Sequence, residues 1–315
     1  MRSVLLFRLG GLGDLLVAYP SIYLTRKTLY PCSITLVCRE EYGLLLKETR
    51  VVDTILSLNE PWLSPLFTSP PYPEDIVRRL DGFSFILGWM QKKGSLNIEE
   101  FCTSREKKRC LSFIFDPDFQ GSITRYFFQK TAEFLAPEKG NLPAFQECSF
   151  LPLSPEQKNE GLKLLGERAL ISEEKIAVIH PGSGGERKSW PFENFMEIIF
   201  RLADAGMTGA LVTGTAEERL EEKIRASSLP AGWVWLHNPP LLKIAGLLSA
   251  SSLYLGNDSG ITHLAASCGA KGVALFLSEF EALWRPFGRI STLAGESMSD
   301  ISVDSVWEAV SKSFS

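Results

Sequence analysis

Along the whole chain, short apolar runs alternate with stretches of helical spacing, and most runs end in a turn built from Gly, Ser, Asn or Asp. Ser3 to Leu9 is nearly continuous in apolar residues, the pattern of a strand buried on both faces. Gly10-Gly11-Leu12-Gly13-Asp14 then turns the chain into a helical pattern from Leu15 to Thr28. Further strands are predicted at residues 33–38, 53–58, 83–89 and 109–115, with helices at 41–48, 74–80 and 123–135. Strands regularly separated by helices cannot pair as hairpins, so the alternation predicts a parallel α/β sheet.

Asn141 to Pro155 is irregular and rich in Pro, and the alternation restarts after it. A helix over 155–170 leads into strands at 176–180, 208–213, 233–236, 252–255 and 272–276. The intervening helices are predicted at 191–205, 216–227, 241–250 and 261–268, with a closing helix at 305–311. A chain of 315 residues is long for one core. Two domains follow, 1–150 and 151–315, each Rossmann-like, with a ligand cleft expected between the C-terminal ends of their strands.

Composition narrows the partners. The net charge of −4 speaks against bulk nucleic-acid binding. Residues 1–150 carry 18 Lys and Arg against 17 Asp and Glu, and the remainder 15 against 20. The first half is thus the better suited to an acidic partner or membrane surface. Trp89-Met90-Gln91-Lys92-Lys93 and Arg125-Tyr126-Phe127-Phe128 are candidate membrane contacts, although core packing with solvated charges explains them at least as well. The six cysteines, at 32, 38, 102, 110, 148 and 268, form no C-x-x-C pair and are expected to be reduced and mostly buried, as in a cytoplasmic protein. No apolar run is long enough to span a bilayer.

Four turns carry the candidate chemistry. The Gly10–Asp14 turn lacks both the spacing of a dinucleotide fingerprint and a Walker lysine, which disfavours an oxidoreductase. Its Asp14 is either a helix-start carboxylate or a general base acting on an acceptor hydroxyl. In His180-Pro181-Gly182-Ser183-Gly184-Gly185-Glu186-Arg187-Lys188-Ser189-Trp190-Pro191, small residues precede two cations, a pattern suited to a diphosphate. Ser183 can donate there, and Lys188 can neutralise a leaving group. Glu217, after the strand at 208–213, is placed for ribose hydroxyls or for a helix cap. Leu255-Gly256-Asn257-Asp258-Ser259-Gly260-Ile261-Thr262-His263-Leu264-Ala265-Ala266 is strand, polar turn and helix start, which presents free backbone N–H groups to an anion. Asp258 or Ser259 can cap that helix, and His263 is either a buried structural His or a phosphate donor.

Taken together and in this order, Arg8-Leu9-Gly10-Gly11-Leu12-Gly13-Asp14 with Pro20, His180-Pro181-Gly182-Ser183 with Lys188-Ser189-Trp190-Pro191, and Gly256-Asn257-Asp258-Ser259-Gly260 with His263-Leu264-Ala265-Ala266 give a sequence that resembles glycosyltransferase family 9, the ADP-heptose:lipopolysaccharide heptosyltransferases. The resemblance implies a GT-B fold of two Rossmann-like domains facing each other across a cleft. The first would hold the acceptor and the second the nucleotide-sugar donor. It implies an inverting, metal-independent transfer of a sugar, heptose from ADP-heptose, to a hydroxyl of a lipopolysaccharide core or related glycan. The donor is a substrate, and no further cofactor is implied.

By the same resemblance Asp14 matches the catalytic base and Lys188 and Ser183 the phosphate contacts. Asp258, Ser259, Gly260 and His263 fall in the donor-binding turn, and Glu217 lies near the nucleoside. Gly184 stands where some members carry a second hydroxyl. A cytoplasmic monomer is expected, peripheral on the inner membrane where its lipid-linked acceptor sits. One segment departs from the pattern: Phe276-Leu277-Ser278-Glu279-Phe280-Glu281 replaces the usual Phe-Gly-Pro-Thr-Asp-Pro beside the donor site. That departure motivates the alternative of a nucleotide-sugar-binding protein without catalysis.

Overall fold

The first strand, β1 (Arg2–Phe7), runs through the middle of a five-stranded parallel sheet, and its residues Val4, Leu5, Leu6 and Phe7 are almost completely enclosed. The computed structural model describes residues 1–68, 71–90, 109–116, 118–138, 141–166 and 176–314. They fall into two compact units, Met1–Ser149 and Phe150–Ser315. In the first unit β1 is followed by α1 (Leu12–Leu29), β2 (Cys32–Cys38), α2 (Glu40–Glu48), β3 (Thr54–Ser57), α3 (Glu74–Asp81), β4 (Phe85–Met90), β5 (Arg109–Ile114) and α4 (Ile123–Leu135). The strand order is β3-β2-β1-β4-β5, parallel throughout. The chain builds outward from β1 to β3 and then returns to lay β4 on the other side of β1. The C-terminal ends of β1 and β4 therefore flank the switch point, where open α/β sheets bind ligands.

The second unit opens with α5 (Pro155–Leu162) and β6 (Ile176–His180). It continues through α6 (Phe192–Asp204), β7 (Thr208–Thr213), α7 (Glu218–Ala226), β8 (Trp233–His237), α8 (Leu241–Ala250), β9 (Leu253–Asn257), α9 (Gly260–Ser267) and β10 (Lys271–Leu277). The chain ends with α10 (Ser278–Trp284), β11 (Arg289–Gly295) and α11 (Val303–Phe314). The order β11-β10-β9-β6-β7-β8 is again all parallel, with its reversal between β6 and β9. Ile179, Leu211, Leu255 and Leu275 pack with Trp190, Phe195, Ile199 and Val306 in one core.

Two expectations need correction, and one open alternative is decided. The strand at residues 272–276 is not the last, because β11 pairs beyond it and α10 lies between. Arg289-Ile290-Ser291-Thr292 is an edge strand with only alternate burial, so it lacks the apolar run that marks the central strands. Of the two readings of the aromatic segments, core packing is the one that holds among the described residues. Trp89, Met90, Tyr126 and Phe127 are buried, and the Trp89 indole donates to Thr131 Oγ1 at 2.9 Å. Residues 91–93 of that expectation, and 167–170 of the helix expected at 155–170, lie outside the described residues. The cysteines are not all reduced: Cys32, Cys38, Cys148 and Cys268 are free thiols, while Cys110 is disulfide-bonded. Spacing along the chain cannot say which thiols a fold brings together. Burial pushes the Cys148 thiol up to about 11 and that of Cys38 to about 12, so neither is a thiolate nucleophile at neutral pH. Among the described residues no helix is long and apolar enough to cross a membrane.

The contact between α5 and α8 is made by glycines. A Cβ on Gly161 would run into the backbone of Gly246 and Leu247, and one on Gly246 into the Gln157 carbonyl. Gly161→Ala sets two effects against each other. Helix propensity favours Ala by about 1 kcal/mol, whereas overpacking against backbone that cannot rotate away costs about 1–3 kcal/mol or more. The steric term wins, so the variant should unfold at lower urea concentration than wild type. An unchanged or raised midpoint would show that the helices separate freely.

Candidate functional site

In the first unit the β1–α1 turn is shaped around one carboxylate. Gly10 has φ +110°, a conformation that L side chains rarely adopt, and any Cβ there would collide with the Asp14 side chain. Asp14 sits in the first turn of α1, where its Oδ2 accepts from the Gly11 N–H at 2.8 Å. Its Oδ1 accepts from Arg8 Nη2 at 3.1 Å. Arg8 Nε donates to the Asp14 carbonyl at 2.5 Å, and Nη1 to the Trp89 carbonyl at 2.7 Å. The guanidinium also lies 5.4 Å from the centroid of the Phe127 ring.

Arg8 thus joins the ends of β1 and β4 to the first turn of α1, across the switch point. Burial pulls its pKa down to about 10 and the charge of Asp14 opposes that, so it stays cationic at neutral pH. The Asp14 side chain keeps 26% of its exposure and is reachable from solvent. Arg8 was not singled out from the sequence. Its signal was a charge set between Phe7 and Leu9 in an otherwise apolar run, since an enclosed Arg requires partners.

In the second unit the ends of β6 and β9 lie side by side, with His180 opposite Gly256. Asn257, fully buried, ties their loops together. Its Nδ2 donates to the Pro181 carbonyl at 2.7 Å, and its Oδ1 accepts from the Trp190 N–H at 3.2 Å. That clamp brackets residues 181–190 and sets Lys188 against the next residue of the turn, with Nζ 2.7 Å from Asp258 Oδ2. Ser259, not Asp258, caps α9, accepting from the Thr262 N–H at 3.3 Å. The Asp258 carboxylate is thereby left to the cation. Gly260 begins α9, so the first N–H groups of that helix emerge beside the ion pair. Beneath the turn, the buried Tyr254 hydroxyl shares a 2.8 Å hydrogen bond with Thr262 Oγ1 and occupies the space a Cβ on Gly256 would need.

The remaining predicted residues divide. Ser183 Oγ donates to the Gly185 carbonyl at 2.5 Å and lies 2.8 Å from Ser189 Oγ, which folds the loop on itself. Gly184 faces open space. Glu217 is buried at the end of β7, its Oε2 accepting from the Gly214 N–H at 2.7 Å. It reaches the loop after β6 only because residue 182 is glycine: a Cβ there would overlap the carboxylate. His263 is buried and meets the Trp284 ring edge-on, with centroids 6.4 Å apart. The fold therefore gathers Lys188, Asp258, Ser259 and Gly260 at the β6–β9 switch point, with Glu217 against the neighbouring Gly182. Asn257 was read from the sequence only as part of a turn, because its two partners are 76 and 67 residues away.

His180 supports the site from below. Its Nδ1 donates to the Val212 carbonyl at 2.9 Å. Burial pushes its pKa below the ordinary 6.5 against the pull of Glu217, so the ring is neutral in the folded protein. The unfolded chain takes up a proton near pH 6.5 and the folded chain only below that. Stability is therefore lost as pH falls from about 6.5 toward the folded pKa, by at most about 1.4 kcal/mol per pH unit. Urea midpoints should fall over that range in wild type and fall less steeply in His180→Asn. Equal slopes would remove His180 from the account.

The model of glycosyltransferase family 9, described as heptosyltransferase, matches residues 120–301, more than half of the chain. The chain belongs to glycosyltransferase family 9. The match includes the loop from β6, the Asn257 clamp and the turn after β9; the Asp14 turn lies outside it. No curated protein matches the sequence. The likeness to solved structures extends over the full length. A family 9 glycosyl transferase from Veillonella parvula superposes with TM-score 0.78 at 14% identity, covering 99% of this chain and 97% of the other. The ADP-heptose lipopolysaccharide heptosyltransferase II of E. coli gives 0.72 at 17% identity, covering 100% and 98%. An E. coli heptosyltransferase solved with ADP gives 0.71 at 15% identity, covering 99% of each. At such identities the likeness establishes the GT-B fold; the family model establishes a glycosyltransferase of the heptosyltransferase family.

Proposed function

We propose that this family 9 protein transfers heptose from ADP-heptose to a hydroxyl of a lipopolysaccharide core or related glycan, inverting the anomeric centre without a metal ion. The observation that carries the reading is the Lys188–Asp258 pair at 2.7 Å, set at the β6–β9 switch point beside the start of α9. A cation next to unsatisfied helix N–H groups is a seat for the diphosphate of a nucleotide sugar. Asp258, Ser259, Gly260 and His263 belong to this donor seat, with Ser183 and Gly184 on the facing loop and Glu217 toward the ribose.

In the reaction, Asp14 takes the proton of the acceptor hydroxyl as its oxygen bonds to the anomeric carbon from the side opposite the diphosphate. The bond from that carbon to the diphosphate oxygen breaks, and the nucleoside diphosphate leaves with the electron pair. Lys188 and the first N–H groups of α9 stabilise the growing negative charge. The first unit binds the acceptor and the second the donor. The protein works as a monomer in the cytoplasm, at the inner-membrane face where a lipid-linked acceptor is found.

A thermal-shift series with ADP, UDP, GDP and their sugars tests the donor. At a hundred times Kd the true ligand adds about 2.7 kcal/mol, and ADP and ADP-heptose should raise Tm most. Indifference to every nucleoside diphosphate would end the proposal. Binding without transfer to any acceptor would instead favour the non-catalytic alternative. Chelation by EDTA should leave turnover unchanged; loss that a divalent ion restores would overturn metal independence.

A further inference from the structure

The helix α10 covers the stretch in which this chain departs from the usual family 9 pattern, and it touches the candidate donor site and its loop at three points. Glu279 Oε1 pairs with Arg187 Nη2 at 2.6 Å. The Lys188 ammonium sits 4.1 Å from the centroid of the Phe280 ring. Trp284, one helical turn beyond Phe280 and so on the same side of α10, meets the ring of His263. The helix is itself held: Glu281 accepts from Thr292 Oγ1 on β11 and pairs with Arg285 at 2.7 Å, and Phe280 packs against the core of the second unit.

Resting on the donor-site reading above, we propose that Phe280 is a positioning residue for Lys188, its ring face holding the ammonium at the diphosphate seat. A lysine side chain has four rotatable bonds, and the Lys188 side chain keeps 29% of its exposure. Asp258 alone does not fix such a group once a diphosphate competes for the same cation. A ring face attracts the ammonium without neutralising it and without offering the ligand a repelling charge. The usual Thr-Asp-Pro in this segment has no aromatic ring, so the π face comes from the very stretch in which this chain departs from the pattern. The Arg187–Glu279 pair is exposed and serves the loop only weakly.

The test is a binding cycle read by calorimetry with ADP, with UDP and GDP alongside, on wild type, Phe280→Leu, Phe280→Tyr, Lys188→Met and the Phe280→Leu/Lys188→Met pair. Phe280→Leu should weaken ADP about fivefold, the scale of one partly exposed cation–π contact. Phe280→Tyr, which keeps the ring, should restore wild-type affinity. In the Lys188→Met background the Phe280→Leu change should have no further effect, since its target is gone. A merely structural role predicts the opposite: an equal loss with or without the lysine, and that result overturns the inference. So does unaltered ADP affinity in Phe280→Leu while Lys188→Met is impaired. If no nucleoside diphosphate binds wild type, or if Lys188→Met binds normally, the donor-site reading itself fails and this inference falls with it.

Discussion

Asp14→Asn is expected to transfer sugar at least about a hundredfold more slowly than wild type, with donor binding unchanged. General-base catalysis contributes roughly 10²–10⁴, and the amide cannot accept the acceptor proton. The substitution keeps the shape of the side chain, and its carbonyl oxygen can still accept from Gly11 N–H or from Arg8. Arg8 loses its countercharge, however. A buried cation without a partner costs about 3–5 kcal/mol, but here the guanidinium retains the Asp14 and Trp89 carbonyls. The loss of stability is therefore partial, and turnover should be normalised to folded protein measured by circular dichroism at the assay temperature. Turnover within about threefold of wild type, on that basis, would remove Asp14 as the base.

Lys188→Met should lower kcat by about 10²–10³, the usual effect of removing one donor to a developing anion, and should also weaken nucleoside diphosphate binding. Methionine keeps much of the apolar stem, so packing against Phe280 is largely preserved and the charge is what changes. The effect is compounded because Asp258, whose side chain is only 10% exposed, is left as an unpaired carboxylate facing the phosphates. Adding Asp258→Asn to Lys188→Met should therefore recover part of the lost affinity, although not the turnover. Lys188→Arg should rescue poorly, because a planar fork does not replace a point charge held over a ring and beside a single carboxylate oxygen. Full affinity in Lys188→Met would place the diphosphate elsewhere.

Much of this was legible without coordinates. A central parallel strand is buried on both faces and must be apolar throughout, so β1, β6, β7 and β9 announce themselves in any short window. The turns that follow β1, β6 and β9 hold the small and charged residues a ligand site needs, and Asp14, Lys188 and Asp258 were found there. The elements that escaped were the weak ones. The alternately buried edge strand β11 has no continuous apolar run, and α10 has only seven residues in which to show a period.

The parallel α/β class, the two-part organisation and the loops that carry polar chemistry can all be read along the chain, because each depends on local burial and local turn preference. Which of those residues act on one another cannot, because their partners are brought together by the folding of distant segments. Arg8 reaches Trp89 across 81 residues, Asn257 joins Pro181 to Trp190, and Phe280 meets Lys188. Such pairings follow from strand order, which sets β4 beside β1 and β9 beside β6 although neither pair is consecutive in the chain. Strand order is settled by how whole faces bury one another, a long-range balance that no short stretch of chain records.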